Sequence, residues 1–128
     1  TALAAYLMGI HNRDMLLNSP GFGHIFETLI VTDFLKRFLH NGIMPSVYYL
    51  RTRDGLEVDL VVEWGQKLHL FEIKAMMTIL PKHAIPLLRA SAGIKKSIGH
   101  TALITLTPDN FPLRKGVCNY SWKNLLGV

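Results

Sequence analysis

An α/β domain, a mixed sheet flanked by helices, is predicted by three features of the chain. The adjoining segments Leu56–Glu63 and Leu68–Lys74 alternate apolar with polar or acidic residues, the two-residue period of strands. Phe22–Leu39 carries an apolar stripe at helical spacing, with Ile30, Val31, Phe34 and Phe38 on one side. The remaining elements complete the order helix, three strands, helix, strand.

Each element has its own warrant. Ala2–Ile10 reads as a short helix. Asn18-Ser19-Pro20-Gly21 is a turn before the long helix, which Asn41-Gly42 ends. Ser46–Arg51 reads as a strand, and Thr52-Arg53-Asp54-Gly55 as the turn leading into the next. Pro81–Ile98 is a basic helical region that Pro86 either starts or kinks. Thr101–Thr107 is a strand rich in β-branched residues, stopped by Pro108-Asp109-Asn110. Val117–Tyr120 is a final strand, with Ser121 capping a last helical turn. Repeats, low-complexity tracts and linkers are absent from the sequence, so residues 1–128 read as one domain.

The pair of alternating segments is the most informative part. If Gly65-Gln66 is a two-residue turn with glycine first, it suits type II′ geometry and the strands form a tight hairpin. That register sets Asp59 opposite Glu72 and Glu57 opposite Lys74. Leu56, Val58, Leu60, Val62, Phe71 and Ile73 then share a core face, and the charged residues the other. Directly opposed Cβ atoms lie about 4.5–5.5 Å apart, so two carboxylates there repel unless a cation sits between them. A hard divalent ion with oxygen ligands supplies that cation. The plain alternative is a Glu57–Lys74 salt bridge with Asp59 and Glu72 solvated near an edge. On the long helix, Asp33, Lys36, Arg37 and His40 form the polar side. Glu27 falls in the apolar stripe instead, where an acid is costly unless it is paired or bound to metal. Its plain alternatives are a backbone contact or an ion pair with Arg51 or Arg53.

Three blocks carry a family resemblance: Gly23-His24-Ile25-Phe26-Glu27, Tyr48-Tyr49-Leu50-Arg51-Thr52-Arg53-Asp54-Gly55-Leu56-Glu57-Val58-Asp59, and Phe71-Glu72-Ile73-Lys74. Together with Leu3–Ile10 they resemble the C-terminal domain of prokaryotic AAA-type ATPases, a domain of unknown function. That domain is similar to the PD-(D/E)xK nucleases, the restriction-endonuclease-like fold. The resemblance implies a restriction-endonuclease-like mixed sheet and a site for Mg²⁺ or Mn²⁺. By position, Asp59 and Glu72 with the carbonyl of Ile73 match the metal ligands. Lys74 matches the lysine that acts on the attacking water or the phosphate, and Glu27 the helical acid that completes the site. Val58 stands where the superfamily's proline would be, and Ala75 where a small polar residue is common. The implied activity is metal-dependent phosphodiester hydrolysis on DNA or RNA. The alternative is a non-catalytic module of the ATPase that binds nucleic acid or protein. In that alternative the N-terminal apolar helix packs on the ATPase portion.

Charge is unevenly placed. Residues 1–72 carry six Lys/Arg and eight Asp/Glu; residues 73–128 carry eight Lys/Arg and only Asp109 as an acid. The downstream bases Lys82, Arg89, Lys95, Lys96, Arg114, Lys115 and Lys123 suit a phosphate backbone, or simply solubility. Other chemistries are set aside. Gly93-Ile94-Lys95-Lys96-Ser97 lacks the first half of a phosphate-binding loop. The six His and one Cys give no zinc spacing, and His24 and His69 read as supporting residues. A Gly-x-Ser-x-Gly elbow is also missing. Cys118, the lone cysteine, fits a reducing cytoplasm. No apolar run reaches ~18 residues, so no membrane span is expected, nor is there a signal peptide. The chain begins at Thr1 inside an apparent helix, which reads as a fragment of a longer protein.

Overall fold

The computed structural model describes residues 9–126; the helix expected over Ala2–Ile10 lies almost wholly outside them. Helices α1 (Arg13–Leu17) and α2 (Phe22–His40) precede strands β1 (Ser46–Arg51), β2 (Glu57–Trp64) and β3 (Lys67–Lys74). A 3-10 turn (Pro81–Ala84) and helix α3 (Ile85–Gly93) follow, then β4 (Ile98–Thr105), β5 (Phe111–Arg114), β6 (Val117–Ser121) and helix α4 (Trp122–Leu126). The sheet order is β1-β2-β3-β4-β6-β5. β1, β2 and β3 form an antiparallel meander, β4 runs parallel to both β3 and β6, and β5 pairs antiparallel with β6 at the edge. The predicted α/β class with a mixed sheet is therefore observed.

The helix boundaries follow from local chemistry. α2 ends in a Schellman arrangement: Gly42 N–H donates to Leu39 O at 3.0 Å and Ile43 N–H to Phe38 O at 2.9 Å, with Gly42 at φ +69°. α1 was not expected; its N-cap Asn12 accepts from Met15 N–H at 2.8 Å. The basic region expected to stay helical to Ile98 stops at Gly93, and Ile98 already opens β4. Pro86 lies in the first turn of α3, where its missing N–H costs nothing.

Two cores sandwich the sheet. Phe26 and Ile30 of α2 pack on Leu60, Val62, Phe71, Ile73, Ala102 and Ile104. Leu87 and Ala90 of α3 pack on the opposite face with Val58, Val61, Leu70, Leu103 and Val117. The β2–β3 register is the expected one, with Leu60 opposite Phe71 and Trp64 opposite Lys67. The turn is not. Gly65 and Gln66 both have positive φ, 60° and 62°, so the hairpin turn is type I′ rather than II′. Type I′ matches strand twist, which offsets the strain on a non-glycine residue at Gln66.

One irregularity decides where the acids go. Tyr48 pairs with Val61 but Leu50 pairs with Val58, so Tyr49 alone opposes Asp59 and Leu60. This is a β-bulge on β2. It breaks the alternation, and Val58 joins the α3-side core while Leu60 joins the α2-side core. Hence Val58 leaves the face on which it was expected.

Candidate functional site

Asp59 sits at the bulge and turns toward α2. It lines a cleft of about 250 Å³ with Glu27, Thr28, Val31 and Thr32 of that helix and Tyr49 of β1. Its Oδ2 accepts the N–H of Ile73 at 2.8 Å, just past Leu60–Phe71. The carboxylate therefore reaches the β3 main chain at the strand gap.

Glu72 does not share this face. Its neighbours Phe71 and Ile73 belong to the α2-side core, and its partner on β4, Leu103, belongs to the α3-side core. Two-residue alternation therefore directs Glu72 and Lys74 to the α3 side. There Lys74 Nζ meets Glu72 Oε1 at 2.8 Å, while Glu72 Oε2 is buried with no hydrogen-bond partner. By this alternation Glu72 and Lys74 leave the sheet face on which Asp59 was expected to join them. The cause is the bulge, which reverses Asp59 relative to its neighbours. Glu57 is not opposite Lys74 either: it pairs with Arg51, Nε to Oε1 3.3 Å, across the β1–β2 ladder.

The charges of the two acids in the cleft are coupled by repulsion. Burial raises the Glu27 carboxyl above its ordinary range, and the negative charge of Asp59 raises it further, against a lowering by His24. Asp59 is raised by burial, opposed by the Ile73 N–H bond and by the charge of Lys74. Lys74 thus acts on Asp59 electrostatically although it is paired with Glu72. Groups raised on folding favour the protonated domain. Their stabilising contribution is present below the ordinary carboxylate range and is lost as pH rises through the raised values. Glu27→Gln should therefore stabilise the domain near pH 7, by a few tenths of a kcal/mol at these half-exposed positions. The gain should vanish near pH 3 in urea titrations. A gain equal at both pH values would contradict the coupling.

Donor chemistry here fits a hard divalent ion held by two carboxylates. Mg²⁺ is commonly bound by one or two carboxylates, with water and phosphate oxygens completing the shell. Among the described residues no group of three or more His, Cys, Asp or Glu converges as metal ligands. Tyr49 of β1 and Thr28 and Thr32 of α2 escaped the sequence reading because their approach to Asp59 depends on the bulge and on packing between separate segments.

Of the basic residues, Lys82, Arg89 and Lys95 are exposed on or beside the 3-10 turn and α3. Lys96 is paired with Glu63 at 2.5 Å. Arg114 and Lys115 lie at the β5–β6 turn, lining a second cleft of about 450 Å³ that contains no acid. His69 is a supporting residue, as expected: its Nδ1 accepts His100 N–H at 2.9 Å and its Nε2 lies 3.3 Å from Trp64 O.

No helix among the described residues is long and apolar enough to cross a membrane. A comparison with curated proteins gives no match to the chain. A family model described as a domain of unknown function, DUF4143, matches residues 22–125, from the start of α2 to the end of the sheet and into α4. The match takes in Glu27, Asp59, Glu72 and Lys74 alike, and the chain belongs to the DUF4143 family.

Proposed function

We propose that the domain is a divalent-metal-dependent phosphodiester hydrolase of the nuclease type, serving an AAA-type ATPase in the cytoplasm. The observation that carries this reading is the pair Glu27 and Asp59, two mutually repelling carboxylates in one cleft. Glu27 and Asp59 would hold Mg²⁺ or Mn²⁺. When bound, such an ion supplies Lewis-acid stabilisation of phosphate charge and a more acidic water. Ile73 N–H fixes Oδ2 of Asp59, a residue that lines the cleft. Lys74 supplies positive charge at the same end of β3, and Glu72 positions it through their ion pair.

Labelled DNA incubated with Mn²⁺ tests the reading. Wild type should cleave it, and Asp59→Asn, which keeps an oxygen to accept Ile73 N–H, should lose cleavage by about 10²-fold or more. Equal rates for the two proteins would refute it. A second reading, a non-catalytic recognition module of the ATPase, is favoured by the bulge that separates Asp59 from Glu72. It predicts binding without cleavage under any divalent ion.

A further inference from the structure

We propose that the acid-free cleft between β4 and the β5–β6 turn binds the phosphate backbone of a nucleic acid. Strands β4 and β6 are laddered only from Ala102–Cys118 onward. Before that point they leave a cleft of about 450 Å³, with His100 on one wall and Arg114 and Lys115 on the other. None of its lining residues is acidic, and neither Arg114 nor Lys115 has a carboxylate partner among the described residues. Lys96 shows the contrast, since Glu63 already occupies it. Asp109, the one acid downstream of residue 72, lies past the far end of β4, bonded through its carbonyl to Asn119.

The β4 wall is preformed. The His69 ring lies against Gly99 so closely that any Cβ there would collide with it, and His69 Nδ1 holds the main chain of His100. The chemistry favours phosphate. Arg presents a planar fork of donors that matches phosphate oxygens, and Lys adds a point charge. The exposed His100, with Tyr120 at 6.0 Å and His69 at 6.3 Å from its ring, adds an aromatic group beside the cations. The cleft opens at the N-terminal ends of the parallel strands, whereas Asp59 reaches β3 near its C-terminal end. Strand rise and spacing put the two sites on the order of 15 Å apart. One strand of nucleic acid can therefore touch both, but the basic cleft does not depend on the metal site.

Fluorescence anisotropy with a labelled 20-nucleotide single strand, in EDTA at 50 and 200 mM salt, tests the proposal apart from the cleavage reading. Wild type should bind, with affinity falling steeply with salt. Arg114→Ala/Lys115→Ala should weaken binding about tenfold and reduce the salt slope by about 1.5, the loss of two phosphate contacts. Arg114→Glu/Lys115→Glu should abolish it, with the circular dichroism spectrum unchanged because both residues are exposed. Wild-type affinity in the Ala pair, or no binding at 50 mM salt, would overturn the proposal. Competition by tripolyphosphate or polyglutamate at charge concentrations equal to the oligonucleotide would also overturn it, by identifying a small polyphosphate or an acidic peptide as the ligand.

Discussion

Asn119→Ala is expected to destabilise the domain by about 3 kcal/mol or more, a large share of the ~5–15 kcal/mol typical of a native domain. Asn119 is fully buried in β6. Its Oδ1 accepts from Thr105 Oγ1 at 2.8 Å, and its Nδ2 donates to Thr107 Oγ1 at 2.7 Å and to Asp109 O at 3.2 Å. The network ties the end of β4 and the loop after it to β6, so truncation strands several buried polar groups at once. Each unsatisfied group costs about 1–3 kcal/mol, and the missing side chain adds a cavity. Urea unfolding measures the difference. A loss below about 1 kcal/mol would mean that the loop relaxes to bond elsewhere.

Lys74→Met should cost about 2–3 kcal/mol, because it removes the ion-pair partner found among the described residues for a carboxylate whose side chain is 12% exposed. Glu72 Oε2 is already buried without a hydrogen bond, so no spare donor stands ready to replace Nζ. Glu72→Leu/Lys74→Met should recover most of that loss, since an apolar pair beside Leu70 and Leu103 removes both desolvated charges together. The double variant should nonetheless cleave no DNA, which separates the pair's role in stability from the role of Lys74 in the site. A double variant as unstable as the sum of its singles would show that the ion pair holds the sheet end through more than charge.

Alternation in Leu56–Lys74 specified two strands, and the Gly65-Gln66 turn between them specified their register. The span of α2 was equally legible from its stripe and from Asn41-Gly42. The sequence does not show the bulge at Asp59, since that depends on how β1 pairs, a contact between separate segments. A strict two-residue period therefore carried Asp59 to the wrong face and paired Glu57 with the wrong cation. β5 was also missed: Phe111-Pro112-Leu113-Arg114 contains a proline, which only an edge strand accommodates. Asn119 gave no signal at all, because its importance lies in three partners that only the fold assembles.

On the proposed reading, Glu27 and Asp59 rather than Asp59 and Glu72 hold the cation. Thermal unfolding with and without Mn²⁺ well above its dissociation constant measures it directly, because an ion bound only by the folded state raises the midpoint. A rise of several degrees is expected for wild type and Glu72→Gln, and none for Glu27→Gln or Asp59→Asn. A shift lost in Glu72→Gln but retained in Glu27→Gln would contradict it.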